Sequence, residues 1–488
     1  MADPSPAFDA ERFRAEARAV VDWIADYWRT VEDRPVQSQV EPGWVRSQLP
    51  ATAPENPEPL AAVLADLDRV IVPGLTHWQH PGFFAYFPAN TSAPSMLGEL
   101  LTAGLGVQGM LWATSPACTE LETLALDWLR DLLGLPDRFA STGAGGGVIQ
   151  DSASSGMLCV MVAARERATA RSGNERGVRQ GESPLCVYAS EDAHSSFEKA
   201  ATIAGIGREW VRRIRTDSDG RLDAAALAAA LREDAAAGRV PCLVAATVGT
   251  TACGAFDPVP EIAAAAAEHG VWLHVDAAWA GAAAVCPEFR GPIAAGADRA
   301  HSWGFNPHKW MLVNFDCHAL WLADRRDLVR ALSVKPEYLR TAAGESGAVI
   351  DYSDWQVPLG RRFRALKLWL TLRMIGAEAL RGRIREHVAW AGEFADWVAN
   401  DSRFELLRKP SLSLVCFAVR AGDHASQALL ERVNRSGTVS LSHARVAGRF
   451  ALRLAIGGTL TERRHVDAAW RTLATAADGH APTSPPIS

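Results

Sequence analysis

Apolar positions follow three different spacings along the chain, and each predicts a different arrangement of elements. Across residues 7–31, Phe13, Ala17, Val20, Val21, Ile24 and Tyr27 recur at helical intervals, which predicts a long helix with one apolar face. A proline-rich stretch, residues 50–59, follows. This first region, residues 1–105, has too little apolar surface for a core of its own and reads as an arm that packs on a partner subunit. From 106 to 378, short apolar runs at 185–189, 243–248 and 271–275 alternate with helical stretches at 194–204, 223–237 and 260–269. The runs are rich in β-formers and bounded by polar residues or glycine, so they read as buried strands. Such alternation predicts a mostly parallel sheet covered by helices on both faces, with ligands at the carboxyl ends of the strands. From 379 to 488, a helix at 379–399, strands at 412–419 and 450–456 and a last helix at 461–476 predict a small α+β domain. Residues 482–486 read as a frayed tail.

Composition narrows the class. A chain of 488 residues is long enough for two or three packed units, and 22% charged with 48% hydrophobic residues is ordinary for a folded protein. The net charge of −6 argues against a nucleic-acid surface. Two basic clusters, Arg212-Arg213-Ile214-Arg215 and Arg361-Arg362-Phe363-Arg364, are each broken by an apolar residue, which suits a solvated face or an internal ion pair. The eight cysteines are scattered with no CxxC pair, so buried reduced thiols are expected rather than a zinc or redox site, and no metal is expected. No leader pattern opens the chain, and no apolar run reaches the ~18 residues of a membrane span. A cytoplasmic protein without a membrane partner is the expectation.

Four segments carry the chemistry. Lys309 lies in Ser302-Trp303-Gly304-Phe305-Asn306-Pro307-His308-Lys309-Trp310, an aromatic and apolar run in which burial lowers an amine's pKa and suits it to join an aldehyde. A lysine that merely snorkels from a strand end is the plainer alternative. Asp276 ends the apolar run before Ala277-Ala278, where a carboxylate can pair with a pyridinium nitrogen above a small residue. Standing alone, such an aspartate is more often a helix cap or a metal ligand. The run Gly145 to Gly156 leads into a helical stretch at 157–170, and its glycines and serines provide an N–H cradle for a phosphate, or else an ordinary serine cap. His194 follows a strand, where an imidazole could stack on a ring or be merely structural.

Taken with the blocks His77-Trp78, Phe83-Phe84-Ala85-Tyr86-Phe87-Pro88, Ser115-Pro116-Ala117-Cys118-Thr119-Glu120-Leu121-Glu122 and Pro358-Leu359-Gly360-Arg361-Arg362-Phe363, these segments are recognisable. From about residue 8 to 475 the chain resembles the group II pyridoxal-phosphate-dependent decarboxylases, and among them the aromatic-L-amino-acid decarboxylases. The resemblance implies an α/β fold of type I, a homodimer with active sites at the interface, and pyridoxal 5'-phosphate as cofactor. It implies that Lys309 binds the cofactor covalently, that Asp276 pairs with its ring nitrogen, and that Ala278 and His194 cover its two faces. Ala153, Ser154 and Asn306 would hold the phosphate, Thr251 would lie beside the ring oxygen, and His308 would line the site. Trp78, Tyr86, Phe87 and Pro88 would shape the substrate pocket.

Tyr338 precedes the glycine- and alanine-rich residues 341–347, which read as a mobile loop in their own right. The resemblance makes Tyr338 the proton donor to the substrate carbon after CO2 leaves. Phenylalanine there, or asparagine in place of the histidine, accompanies aldehyde-forming relatives, so Tyr338 and His194 imply an amine product. The pocket departs from the animal pattern at Ala89, Gln108 and Met110, and Gly360 resembles plant relatives that take indoles. These residues lean the expected substrate towards tryptophan, with DOPA, 5-hydroxytryptophan, tyrosine and phenylalanine behind it. The alternatives are an oxidative aldehyde synthase, a glutamate or histidine decarboxylase, and a cofactor-binding protein without turnover.

Overall fold

The computed structural model describes residues 8–178, 183–334 and 336–479, without the side chain of Tyr338; the tail expected at 482–486 lies outside the described residues. Seven strands make the central sheet: β1 (Gly146–Gln150), β2 (Leu185–Ser190), β3 (Val211–Ile214), β4 (Val240–Thr247), β5 (Trp272–Asp276), β6 (Ser302–Phe305) and β7 (His318–Leu322). Their order is β1-β7-β6-β5-β4-β2-β3. The pairs from β3 through β6 are parallel, whereas β7 runs antiparallel to both β6 and β1.

The apolar runs do not alternate with polar residues because both faces of this sheet are covered. Leu185, Val187 and Ala189 of β2 face one core, which also holds the Ala153–Ala168 and Ser196–Ile203 helices. Cys186 and Tyr188 face the other core, shared with the Pro116–Leu133, Ala224–Ala236 and Val259–Glu268 helices. β3 is the edge strand, and its partial exposure explains why its arginines left no apolar run to read.

The C-terminal region contains the expected α+β unit. β8 (Phe404–Leu406), β9 (Leu414–Val419), β10 (Ser442–Val446) and β11 (Arg449–Ala455) form an antiparallel sheet in the order β10-β11-β9-β8. The Ala377–Asn400, Asp423–Arg435 and Arg463–Ala477 helices pack on it through Phe394, Leu429 and Val466. Residues 82–84 are stitched to this sheet, with Ser440 N–H donating to Gly82 O at 3.0 Å and Phe84 N–H to Ser440 O at 2.9 Å. The N-terminal region is therefore partly woven into the small domain. Its first helix, Ala10–Thr30, has no buried residue.

Both basic clusters resolve into ion pairs. Arg212 meets Asp234 at 3.0 Å, Arg364 meets Asp316 at 2.9 Å, and Arg362 meets Glu99. Arg361 is buried with Glu122 in a two-pronged pair at 2.8 and 3.0 Å, and it also donates to Gln356 and to the Ile149 carbonyl. Removing one partner of such a pair strands the other charge. Arg361→Met is expected to destabilise the protein by about 3–5 kcal/mol, measured by denaturant unfolding. A midpoint equal to the wild type's would show that the pair carries no stability. All eight cysteines are free and buried.

Candidate active site

Because β2, β4, β5 and β6 run in one direction, the loops that leave their carboxyl ends share one edge of the sheet. Asp276 is the last residue of β5. Gly249-Thr250-Thr251 follows β4; a Cβ at Gly249, whose φ is +89°, would sit 2.7 Å from the Ala280 Cβ, so the turn needs glycine. His194 lies between β2 and the Ser196–Ile203 helix, and Lys309 sits in the single helical turn Pro307–Trp310 after β6.

Lys309 keeps some exposure, but its amine is buried, 5.5 Å from the centre of the Phe87 ring. Burial pushes its pKa down, Asp276 pulls it back up, and Arg453 pushes it down again. The Oδ1 of Asp276 accepts the Ala278 N–H at 3.0 Å. On His194, Nδ1 accepts the Ser196 N–H at 3.2 Å, so the ring hydrogen is on Nε2. Burial lowers the His194 pKa, while Asp276 raises it and Lys309 lowers it. These three groups therefore lie within one another's electric field.

The anion cradle differs from the sequence reading in one respect. Gly146 and Gly147 belong to the buried strand β1 rather than to a loop. A Cβ at Gly147 would come 2.8 Å from the Trp321 ring, so this glycine serves packing. The N–H donors come instead from the start of the Ala153–Ala168 helix, capped by Ser152, whose Oγ accepts the Ser155 N–H. An N-terminus of a 16-residue helix favours a dianion. Asn306 is buried and its Oδ1 lies 2.7 Å from Nδ1 of His318. His308 accepts the Cys317 N–H at Nδ1, and burial pushes its pKa down to about 3, so it is neutral.

Trp78 and Tyr86, both exposed, stack at 5.7 Å, and the next two residues, Phe87 and Pro88, are buried. Tyr86 has a φ of +55°, a conformation that costs a non-glycine residue energy and is found at sites that must hold a side chain in place. Gln108, Met110 and Gly360 gather on a second, exposed patch. The Arg361 N–H donates to Gln108 Oε1 at 2.6 Å, and a Cβ at Gly360 would meet only the Gln108 amide, at 3.3 Å. Tyr338 has its backbone in the turn Glu337–Leu339, and its side chain lies outside the described positions.

Two residues escaped the sequence reading. Arg453 is 2% exposed in β11, its guanidinium 5.1 Å from the Phe87 ring, and its Nε and Nη2 have no hydrogen-bond partner among the described residues. An arginine inside the apolar run of β11 was a visible signal. Asn90 had none. Its Nδ2 donates to the carbonyls of Lys309 and Gly457, and its Oδ1 accepts the Thr459 N–H at 3.0 Å.

An amine whose pKa is lowered by burial is suited to take an aldehyde, a strand-end carboxylate can face a ring nitrogen, and a helix start can receive a phosphate. These residues fit pyridoxal phosphate, and with this sheet they define a cofactor enzyme of fold type I. Residues 42–420 match the pyridoxal-dependent decarboxylase conserved domain. The chain belongs to that family. It is 46% identical to phenylacetaldehyde synthase of Arabidopsis thaliana, over 95% of this chain and 96% of that one. It is 45% identical to aromatic-L-amino-acid decarboxylase of Sus scrofa, over 95% of each. A crystal structure of Oryza sativa TDC with PLP and tryptamine superposes with a TM-score of 0.94 at 42% identity, covering 98% of this chain and all of that one.

Proposed function

We propose that this chain removes the α-carboxylate of an aromatic L-amino acid, tryptophan-like in shape, and releases the amine. The observation that carries the reading is the Lys309 amine, 5.5 Å from the centre of the Phe87 ring and within the field of Asp276, with its pKa lowered by burial. When bound, pyridoxal phosphate supplies the electron sink for the bond that breaks. The protein's own residues do the rest. Lys309, its pKa lowered by burial, would hold the cofactor's aldehyde. The Asp276 carboxylate holds a proton on the ring nitrogen, and His194 and Ala278 fix the ring plane between them. Ala153, Ser154 and Asn306 would hold the phosphate, Thr251 would lie beside the ring oxygen, and His308 would line the site. Arg453 adds a second cation near the Lys309 amine, which favours the amine's neutral form. Trp78, Tyr86, Phe87 and Pro88 present aromatic and apolar surface to the substrate. Tyr338 delivers the proton to the substrate carbon.

The tryptophan preference is supported by the space at Gly360, bounded only by the Gln108 amide, and by the rice structure that holds tryptamine. Turnover of tryptophan, 5-hydroxytryptophan, DOPA, tyrosine, phenylalanine, histidine and glutamate, scored as CO2 and amine, tests it. Tryptophan is expected to give the highest kcat/KM; a preference for glutamate or histidine would overturn the reading. The 46% identical aldehyde synthase favours a second product class, distinguished by assaying ammonia and peroxide beside the amine.

The working assembly is a homodimer in this reading. The Ala10–Thr30 helix leaves Phe13 and Val21 exposed, and the Ala93–Leu105 helix exposes Leu97, Leu100, Leu101 and Leu105. Such an apolar surface needs a cover. The exposed patch of Gln108, Met110 and Gly360 would then reach the neighbour's site. Sedimentation is expected to give twice the chain mass of 52.5 kDa; a monomer with full activity would refute it. Among the described residues no helix is long and apolar enough to cross a membrane, and the proposed location is the cytoplasm.

A further inference from the structure

Three rings stack in a column that joins the backbone beside Lys309 to its amine, and a fourth borders the column edge to edge. Phe87 lies against Trp279 with 4.3 Å between ring centres and 16° between planes. Trp279 lies against Trp310 at 5.5 Å and 14°, and His387 lies edge to edge with Trp310 in nearly the same plane, with ring centres 6.3 Å and planes 5° apart. All four are buried. Trp310 is bonded directly to Lys309 in the chain, and Phe87 lies under the Lys309 amine. The column thus leaves the lysine through its backbone and returns to its nitrogen.

His387 closes the far end. It belongs to the Ala377–Asn400 helix, outside the central sheet, and its Nδ1 accepts the Trp310 indole N–H at 2.9 Å. That bond places the imidazole hydrogen on Nε2, which has no partner among the described residues. A buried donor without an acceptor is costly, and an apolar side chain would avoid it. The ring's retained contribution is the acceptor at Nδ1. Burial pushes the imidazole's pKa down to about 3, so the acceptor persists across the neutral range.

We infer that His387 is a positioning residue for Lys309: by fixing the Trp310 indole it sets the Trp279 and Phe87 planes and, through them, the place of the lysine amine. The inference rests on Lys309 being the cofactor-bearing lysine. Losing the acceptor frees the indole to tilt, and stacked rings in a close-packed core pass the tilt along. A small displacement of a reacting group reduces turnover more than binding.

The test compares holoenzyme carrying His387→Leu, His387→Asn, Trp310→Phe or His387→Leu with Trp310→Phe, reading the pH midpoint of the bound cofactor's visible band, kcat and KM. His387→Leu is expected to lower kcat about tenfold with KM within about twofold, and to move the band midpoint by about half a pH unit. His387→Asn, whose amide oxygen can accept the indole N–H, is expected to restore both. Trp310→Phe keeps a ring in the column but lacks the donor, so it should match His387→Leu, and the double variant should be no worse than either. Wild-type kcat and midpoint in His387→Leu, or additive losses in the double variant, would overturn the inference. Should His387→Leu fail to fold, Trp310→Phe against wild type decides by the same two readouts. A visible band that survives Lys309→Ala would instead overturn the cofactor reading beneath it.

Discussion

Lys309→Ala is expected to abolish the visible absorbance of lysine-bound cofactor and to lower decarboxylation by at least about 10³-fold. The chain has five lysines, at 199, 309, 335, 367 and 409, and this makes the assignment unusually exposed to test. Lys367 is the competitor: it is 1% exposed, and burial lowers its pKa too. Its ammonium, however, sits 2.9 Å from a Glu99 oxygen, which holds its proton. No ion pair neutralises Lys309 among the described residues. Absorbance spectra of the purified variant, with and without added pyridoxal phosphate, read the result. A retained band would transfer the cofactor to another lysine and leave the site without its centre.

Tyr338→Phe is expected to cut amine formation by about 10²–10⁴-fold, the usual reach of a positioned general acid. With no proton donor at the substrate carbon, the carbanionic electrons left after CO2 departs become available to dioxygen, and aldehyde, ammonia and peroxide should appear in place of amine. Chromatographic separation of amine and aldehyde from one reaction measures the split. Amine turnover at the wild-type rate would remove Tyr338 from the mechanism. His194 belongs to the same decision, because its ring, held by the Ser196 N–H, is the group expected to cover the cofactor face.

The parallel core was legible because its strands are buried on both faces and so read as unbroken apolar runs: 185–189, 243–248 and 271–275 lie within or one residue beyond β2, β4 and β5. β6 and β7 were not legible. β6 is four residues long with a glycine inside, and the antiparallel direction of β7 depends on pairing with β1 across more than 160 residues, which no local period encodes. The glycine run at 145–147 misled for a related reason: a strand packed against the bulky Trp321 and a phosphate loop both select glycine, and only tertiary contact separates them. Lys309 and Asp276 stood out in the sequence as candidates, each with a plainer alternative, and the structure places both at the carboxyl ends of neighbouring strands. Asn90 did not stand out, since its four hydrogen-bonding positions are filled by segments distant in the chain.

That wiring of Asn90 bears on biosynthesis. Its amide joins the Lys309 carbonyl to Gly457 and Thr459, so the backbone beside the amine acquires these tethers only after residue 459 has left the ribosome. The segment around the amine is therefore expected to reach its final geometry only once residues 457–459 have been made and folded against it.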